Sequence, residues 1–212
     1  MYTHTQKTQD ALTPAEALKF LQEGNARFCA NLKANRNLLQ QVNETRDGQW
    51  PFAAILSCID SRTSAELLFD QGLGDIFSVR IAGNFINDDI LGSLEFACAA
   101  AGAKLIVVLG HSGCGAIRGA CDGIELGHLT GLLEKIRPAV DAVAERHDAD
   151  SRAANNEAFV QAVMLENVRR TVEGIPERSA VLRDLQARGA IDIVGAVYDI
   201  TSGKVDFLPP AQ

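Results

Sequence analysis

The sequence predicts an α/β fold: a mainly parallel central sheet flanked by helices, with an antiparallel strand at one edge and an N-terminal helical arm. Three observations carry that expectation. Phe52-Ala-Ala-Ile-Leu56 and Leu105-Ile-Val-Val-Leu109 are short apolar runs, and each ends in a polar loop that opens a helix, the pattern of a parallel βα unit. Strand-like and helix-like segments alternate along the chain. The last apolar run, Asp192 to Asp199, turns through Thr201-Ser-Gly-Lys204 into Val205 to Leu208, as a hairpin at a sheet edge would. With 212 residues, 47% of them hydrophobic, the chain can bury a full core, and one domain over residues 1–212 is expected.

Residues 1–12 are polar and expected to be loose. Thr13-Pro-Ala-Glu16 then supplies an N-cap, a proline at N1 and a glutamate at N3, so a helix begins at Pro14. Its apolar positions Ala17, Leu18 and Leu21 recur at helical spacing, and Gly24-Asn25 is expected to stop or kink it before Phe28. Asn43 to Gln49 is polar, and Trp50-Pro51 punctuates entry into the first strand. A short helix from Ser64 to Phe69 and a second strand from Asp75 to Arg80 follow. Ala82-Gly-Asn84 turns into a helix from about Asp88 to Ala101, apolar on more than one side at Ile90, Leu91, Leu94, Phe96, Ala97 and Cys98, as in a helix between a sheet and a second subunit. After the strand Lys104 to Leu109 and the segment Gly113 to Cys121 comes an amphipathic helix from Leu129 to Val143. Glu145 to Arg152 is the most charged stretch and reads as an exposed loop. Helices from Glu157 to Val172 and Ser179 to Arg188 lead to the terminal hairpin. No repeat or low-complexity tract interrupts this order.

The formal net charge is −7, with Lys and Arg scattered and no basic stripe, which argues against nucleic acid and against a membrane surface as partners. Met1 to Asp10 has no apolar core of a signal peptide, and Gly102 and Lys104 break the most apolar later segment far short of a membrane span. Five cysteines, at positions 29, 58, 98, 114 and 121, are an odd and sparse set, which suits a reducing cytoplasm rather than a disulfide scaffold.

Free cysteines commonly only fill space, and Cys29 beside Phe28, Cys98 on an apolar helix and Cys121 fit that role. Cys58 and Cys114 differ. Each lies at a strand exit within three residues of another ligand type, in Cys58-Ile-Asp60 and His111-Ser-Gly-Cys114. If the two strands are neighbours, two thiolates, an imidazole and a carboxylate meet at the carboxyl edge of a parallel sheet, and zinc is the metal those donors suit best. His4, His128 and His147 stand in a tail, a loop start and a charged loop, and are expected to be solvated. Gly110-His-Ser-Gly-Cys-Gly-Ala-Ile-Arg-Gly119 fails the spacing of phosphate-binding loops, having neither a Gly-Lys-Ser/Thr ending nor Gly-x-Gly-x-x-Gly.

Cys58-Ile-Asp-Ser-Arg62 together with His111-Ser-Gly-Cys114 resembles the paired signature of the β-class carbonic anhydrases. The resemblance extends from Glu23-Gly-Asn-Ala-Arg-Phe28 through Val79-Arg-Ile-Ala-Gly-Asn84 to Gly195-Ala-Val-Tyr-Asp199, nearly the whole chain. It implies that Cys58, His111 and Cys114 bind Zn2+, with Asp60 a possible fourth ligand, and that Asp60 and Arg62 form the catalytic pair. It also implies that Gln49 hydrogen-bonds bicarbonate and that Phe77, Ala82, Phe96 and Gly113 line the substrate site. Reversible hydration of carbon dioxide to bicarbonate and a proton, by attack of zinc-bound hydroxide, is the implied reaction, in a homodimer or homotetramer whose pocket is completed across subunits. This chain has Ile81 where the family often has asparagine, and Phe96 where it often has tyrosine. Ile55 stands where the bicarbonate-regulated branch carries tryptophan, so with Gln49 present the resemblance is to the plant-like, unregulated branch.

Rival readings exist. A zinc hydrolase of the same fold could act on carbonyl sulfide or carbon disulfide, which offer the same attack geometry. A closed structural zinc site made by Cys58, Asp60, His111 and Cys114 would be non-catalytic, although it has no need of Arg62 competing for its fourth ligand. A nucleotide-binding α/β module is disfavoured by the glycine spacing.

Overall fold

Of the two apolar runs, the first becomes β1 (Ala53–Ser57), buried at every position, as a strand covered on both faces requires. The computed structural model, which describes residues 3–146 and 154–209, places β1 in a five-stranded sheet with β2 (Ile76–Arg80), β3 (Leu105–His111), β4 (Asp192–Tyr198) and β5 (Val205–Phe207). The order is β2-β1-β3-β4-β5, parallel throughout except for the antiparallel edge pair β4 and β5. The mainly parallel sheet with an antiparallel edge is therefore as the sequence predicts. The chain steps from β1 to β2 on one side and then crosses to β3 on the other. A crevice opens at such a reversal, beyond the carboxyl ends of β1 and β3.

Strand alternation splits the apolar residues between two cores. Ala54, Leu56, Ile106 and Val108 pack under α5 (Asp88–Glu95), α6 (Gly115–Asp122), α8 (Arg137–Ala144), α9 (Glu157–Arg178) and α10 (Ala180–Ala187). Ala53, Ile55, Leu105, Val107 and Leu109 face the opposite way, against α2 (Pro14–Cys29) and α4 (Ala65–Leu68). The remaining helices are α1 (Gln6–Ala11), α3 (Leu38–Glu44) and α7 (Gly127–Leu133).

Several boundaries differ from the sequence expectation, each for a local reason. The segment expected to be loose carries α1, capped by Thr5 with Thr8, and the buried amide of Gln9 donates to the carbonyls of Pro51 at 2.7 Å and Ala101 at 2.8 Å. Helix α2 starts at Pro14 with the expected capping box but runs through Gly24-Asn25. That dipeptide is a docking point: a Cβ on Gly24 would lie 1.8 Å from the carbonyl oxygen of Phe69. Beside it, Asn25 donates to the carbonyls of Leu68 and Gly203 and accepts from the Val205 amide at 2.8 Å. Leu38, Leu39 and Val42 of the unexpected α3 are exposed, so no core-facing stripe announces that helix. The helix expected over Leu129 to Val143 is two, α7 and α8, with Pro138 in the first turn of the second. The helix expected to end at Val172 continues past Pro176 to Arg178. After α5 the chain widens into a π turn, Phe96–Ala100, closed by the Ala101 amide on the Phe96 carbonyl at 2.9 Å. The charged stretch Glu145 to Arg152 falls from residue 147 onward outside the described residues, as does His147. Among the described residues no helix is long and apolar enough to cross a membrane.

Candidate metal centre

Register decides the site. Ser57 sits opposite Leu109, so Cys58 leaves β1 one residue after its last pair, and His111 ends β3 two residues further along. Gly113, at φ 64°, makes the tight turn that brings Cys114 back as the N-cap of α6. One ligand atom from each of Cys58, His111 and Cys114 consequently lies within 4.8 Å of the others, and all three residues are buried.

Zinc fits this donor set. Two sulfurs bound tetrahedrally at about 2.3 Å from one ion would stand about 3.8 Å apart, and the Sγ atoms of Cys58 and Cys114 are 3.9 Å apart. The ring of His111 is oriented for the same purpose. Its Nδ1 lies 3.0 Å from the carbonyl oxygen of Ser112, which can only accept, so Nδ1 carries the proton and Nε2 offers a lone pair. Nε2 is buried with no hydrogen-bond partner. A buried acceptor left unpaired costs about 1–3 kcal/mol, a cost that a bound cation removes.

The sulfurs respond to each other. The bond from the Cys114 thiol, helped by the backbone amides of Gly83 and Asp60, holds Cys58 well below the usual thiol range. The same bond, and then burial, push Cys114 up, so the pair keeps one proton until a cation neutralises two thiolates. Outer contacts fix these donor groups. The amide of Gly83 points at the Cys58 sulfur at 3.4 Å, and the buried Asn167 side chain of α9 donates to the Gly83 carbonyl at 2.8 Å. On the histidine side, the Ser112 amide donates to the Tyr198 carbonyl at 3.0 Å and the Ser112 hydroxyl reaches Asp199 at 3.3 Å.

Asp60 does not join the three donors. Arg62 takes both of its carboxylate oxygens, Nε on Oδ1 at 2.9 Å and Nη2 on Oδ2 at 2.7 Å, and the Arg62 amide also donates to Oδ1 at 2.9 Å. These bonds from Arg62 hold the Asp60 carboxyl well below the ordinary carboxylate range. The expected meeting of four groups is thus a meeting of three, with Asp60 paired beside them.

The remaining candidate residues stand outside the triad. Phe77 and Phe96 meet edge to face, with ring centroids 6.1 Å apart, and line an open groove with Val79 and Ile90. Ala82 is half-buried next to Gly83, while Gln49 is exposed and makes no hydrogen bond among the described residues. Of the other cysteines, burial pushes Cys98 up to about 12 and Cys121 up to about 11, whereas Cys29 is exposed and not the space-filler expected. His128 is exposed, as expected, but His4 is half-buried against Phe20 and Phe52, and that burial lowers its pKa. Sequence patterning does not single out Thr63, Arg80, Asn167, Ser112 or Asp199: the first three act on backbone carbonyls that no motif spells out, and Ser112 meets Asp199 through a side-chain bond between residues 87 apart in the chain.

A family model described as carbonic anhydrase matches residues 53–205. A Mycobacterium tuberculosis protein named carbonic anhydrase 2 is 39% identical over 199 residues, 90% of this chain and 91% of that protein. Among solved structures, the β-carbonic anhydrase CafA of Aspergillus fumigatus superposes with a TM-score of 0.72 at 26% identity, covering 93% of this chain and 91% of that one. A Sordaria macrospora structure, one of two described as tetrameric β-carbonic anhydrases, gives a TM-score of 0.69 at 23% identity over 80% of this chain and 89% of its own.

Proposed function

This chain belongs to the β-class carbonic anhydrases, and from that premise we propose that it hydrates carbon dioxide reversibly to bicarbonate and a proton at a zinc centre held by Cys58, His111 and Cys114. The observation that carries the proposal is the buried Cys-His-Cys triad with a free imidazole lone pair, set beside a carboxylate already occupied by Arg62. A zinc ion there supplies Lewis acidity that turns water into a nucleophile, less strongly than with three neutral imidazoles because two thiolates cancel its formal charge.

The protein's own groups do the rest. Asp60, ionised and aimed by the two Arg62 bonds, accepts a hydrogen bond from the attacking water and orients its lone pair toward carbon. Gln49 donates to the oxygen on which negative charge develops. Phe77, Ala82, Phe96 and Gly113 bound the apolar space that holds carbon dioxide. With Asp60 bound to Arg62, the triad keeps a fourth position for the reaction, which disfavours a closed structural site.

Gln49 and the Phe77–Phe96 groove lie open in a single chain, and Leu38, Leu39, Val42 and Phe96 are exposed apolar side chains. A homo-oligomer that covers them and completes the pocket follows, and the tetrameric description of the Sordaria macrospora relatives is in keeping with it. Residues 1–212 act in it as one domain, and reduced, unpaired thiols suit a cytoplasmic location. Stopped-flow hydration of carbon dioxide by metal-assayed protein is the test. One zinc per chain and turnover that rises toward alkaline pH are expected; zinc-loaded protein that fails to hydrate carbon dioxide overturns the proposal. Parallel assays with carbonyl sulfide and carbon disulfide separate the three substrates.

A further inference from the structure

Pairing between β1 and β2 ends at Ser57 and Arg80, after which the backbone of β1 leaves the sheet as the loop carrying Cys58, Asp60 and Arg62. The carbonyls of that loop have no neighbouring strand to bond. A side chain from β2 takes over the ladder. Arg80 Nε donates to the Cys58 carbonyl at 2.9 Å, and Nη2 of the same guanidinium donates to the Asp60 carbonyl at 2.7 Å. Thr63, 1% exposed, closes the loop on the same two oxygens, its hydroxyl 3.0 Å from the Cys58 carbonyl and 2.8 Å from that of Asp60. The Thr63 amide adds a bond to the Asp60 carbonyl at 2.9 Å, and Arg80 Nη2 reaches the Thr63 hydroxyl at 3.4 Å. Among the described residues no carboxylate pairs with Arg80.

We propose that Arg80 is a positioning residue: its guanidinium fork, braced by Thr63, grips the carbonyls of Cys58 and Asp60 and so sets the carboxylate of Asp60 relative to the Cys58 sulfur. The proposal rests on the catalytic reading of Asp60 given above. The two carbonyls belong to the two residues whose side chains would hold the metal and aim the water, so a hinge between them is what the loop must not have. A planar fork with donors in fixed directions can bridge two backbone oxygens, whereas a lysine ammonium at the same place is a single point and cannot hold both in register. Loosening such a loop by a fraction of an ångström leaves ligands and fold in place but blurs the aim of the carboxylate.

The test compares zinc-loaded wild-type protein with Arg80→Lys, Thr63→Val and Thr63→Ser. Arg80→Lys keeps the charge and loses the fork; Thr63→Val keeps the volume and loses the hydroxyl; Thr63→Ser restores it. Arg80→Lys and Thr63→Val are expected to keep stoichiometric zinc and a thermal midpoint near that of the wild type. Hydrogen exchange at the Arg62 and Thr63 amides should quicken roughly tenfold, and kcat should fall roughly tenfold with KM little changed. Thr63→Ser should remain close to wild type on every measure. Wild-type exchange at those amides in Arg80→Lys overturns the proposal, and so does a loss of kcat that merely follows a falling midpoint with faster exchange across the whole sheet. Should the wild-type enzyme itself fail to hydrate carbon dioxide, the catalytic reading falls, while exchange at Arg62 and Thr63 still decides whether Arg80 holds the loop.

Discussion

Asp60→Asn separates a carboxylate that aims a water from one that only fastens a loop. The substitution keeps shape and removes one acceptor, because the amide that replaces Oδ2 faces the Arg62 Nη2 donor now 2.7 Å away. One of the two side-chain bonds is lost and donor meets donor. Arg62 is half-exposed and the pair contributes little to folding, so the thermal midpoint should stay within about 4 °C of wild type. Zinc should remain, since Asp60 is not among the three donors. Activity should fall roughly 10- to 100-fold, the usual consequence of losing a group that orients a metal site from outside. The sign of the pH dependence follows from the same contact. Arg62 depresses the pKa of Asp60 in the folded state, so the carboxylate is ionised above pH ~4 and its stabilising contribution disappears only as pH falls below that. Between pH 6 and 9 no limb of the rate profile should therefore belong to Asp60. Metal analysis, thermal melting and stopped-flow hydration on the same samples check each point. Full activity in the Asn variant, or loss of zinc together with activity, would refute the assigned role.

Three further outcomes follow from contacts away from the chemistry. Asp70 is buried, and although burial would raise its pKa, bonds from Arg27, the Ala34 amide and Arg36 outweigh it and hold the carboxyl low. Asp70→Asn should cost about 2–3 kcal/mol in urea unfolding at neutral pH by taking the negative charge away from the guanidinium groups of Arg27 and Arg36, and wild-type stability would show that the three-way contact is not held in solution. Gly24→Ala drives a Cβ into the backbone carbonyl of Phe69 and should cost about 3 kcal/mol; an unchanged unfolding midpoint would mean that α2 does not press on α4 as described. Because burial raises the Cys98 and Cys121 thiols to about 12 and about 11, few thiolates exist at pH 8, and both should resist iodoacetamide until the protein is unfolded while exposed Cys29 is modified. Peptide mapping reads this directly, and early labelling of Cys98 would contradict it.

The sheet was legible because its central strands are apolar at every position and end in loops rich in chemistry. Phe52 to Leu56 could only be covered on both faces, and Cys58 and His111 could only stand at its carboxyl edge. Legibility failed where a helix does not bury its own apolar side. Leu38, Leu39 and Val42 carry no signal for α3 because they remain exposed in the single chain. Threonine at Thr8 serves in the α1 capping box where glutamate is the usual cue, so that turn was silent too. Gly24-Asn25 misled for a different reason: both residues are helix breakers by propensity, and tertiary contact with Phe69, Leu68 and Val205 overrides propensity. Pro138 is the one sequence sign that the helix expected over Leu129 to Val143 restarts, since proline suits a first helical turn and not a helix interior. The clamp of Arg80 on two carbonyls lay beyond any residue pattern, because its partners are backbone atoms.

One constraint joins the core to the metal centre. Side chains on β1 alternate between two packed faces, so slipping β1 by one residue against β3 would send Ala54 and Leu56 to the face now filled by Ala53 and Ile55. The same slip would carry Cys58 about 3.3 Å along the strand, nearly the whole 3.9 Å that separates its sulfur from that of Cys114. Hydrophobic packing therefore sets the sulfur spacing, and a metal held there would need no strain in Cys58 and Cys114. It also explains why the loop after Ser57 must be held from outside: the sheet positions Cys58, but two residues later the register has ended, and Asp60 depends on Arg62, Thr63 and Arg80 for its place.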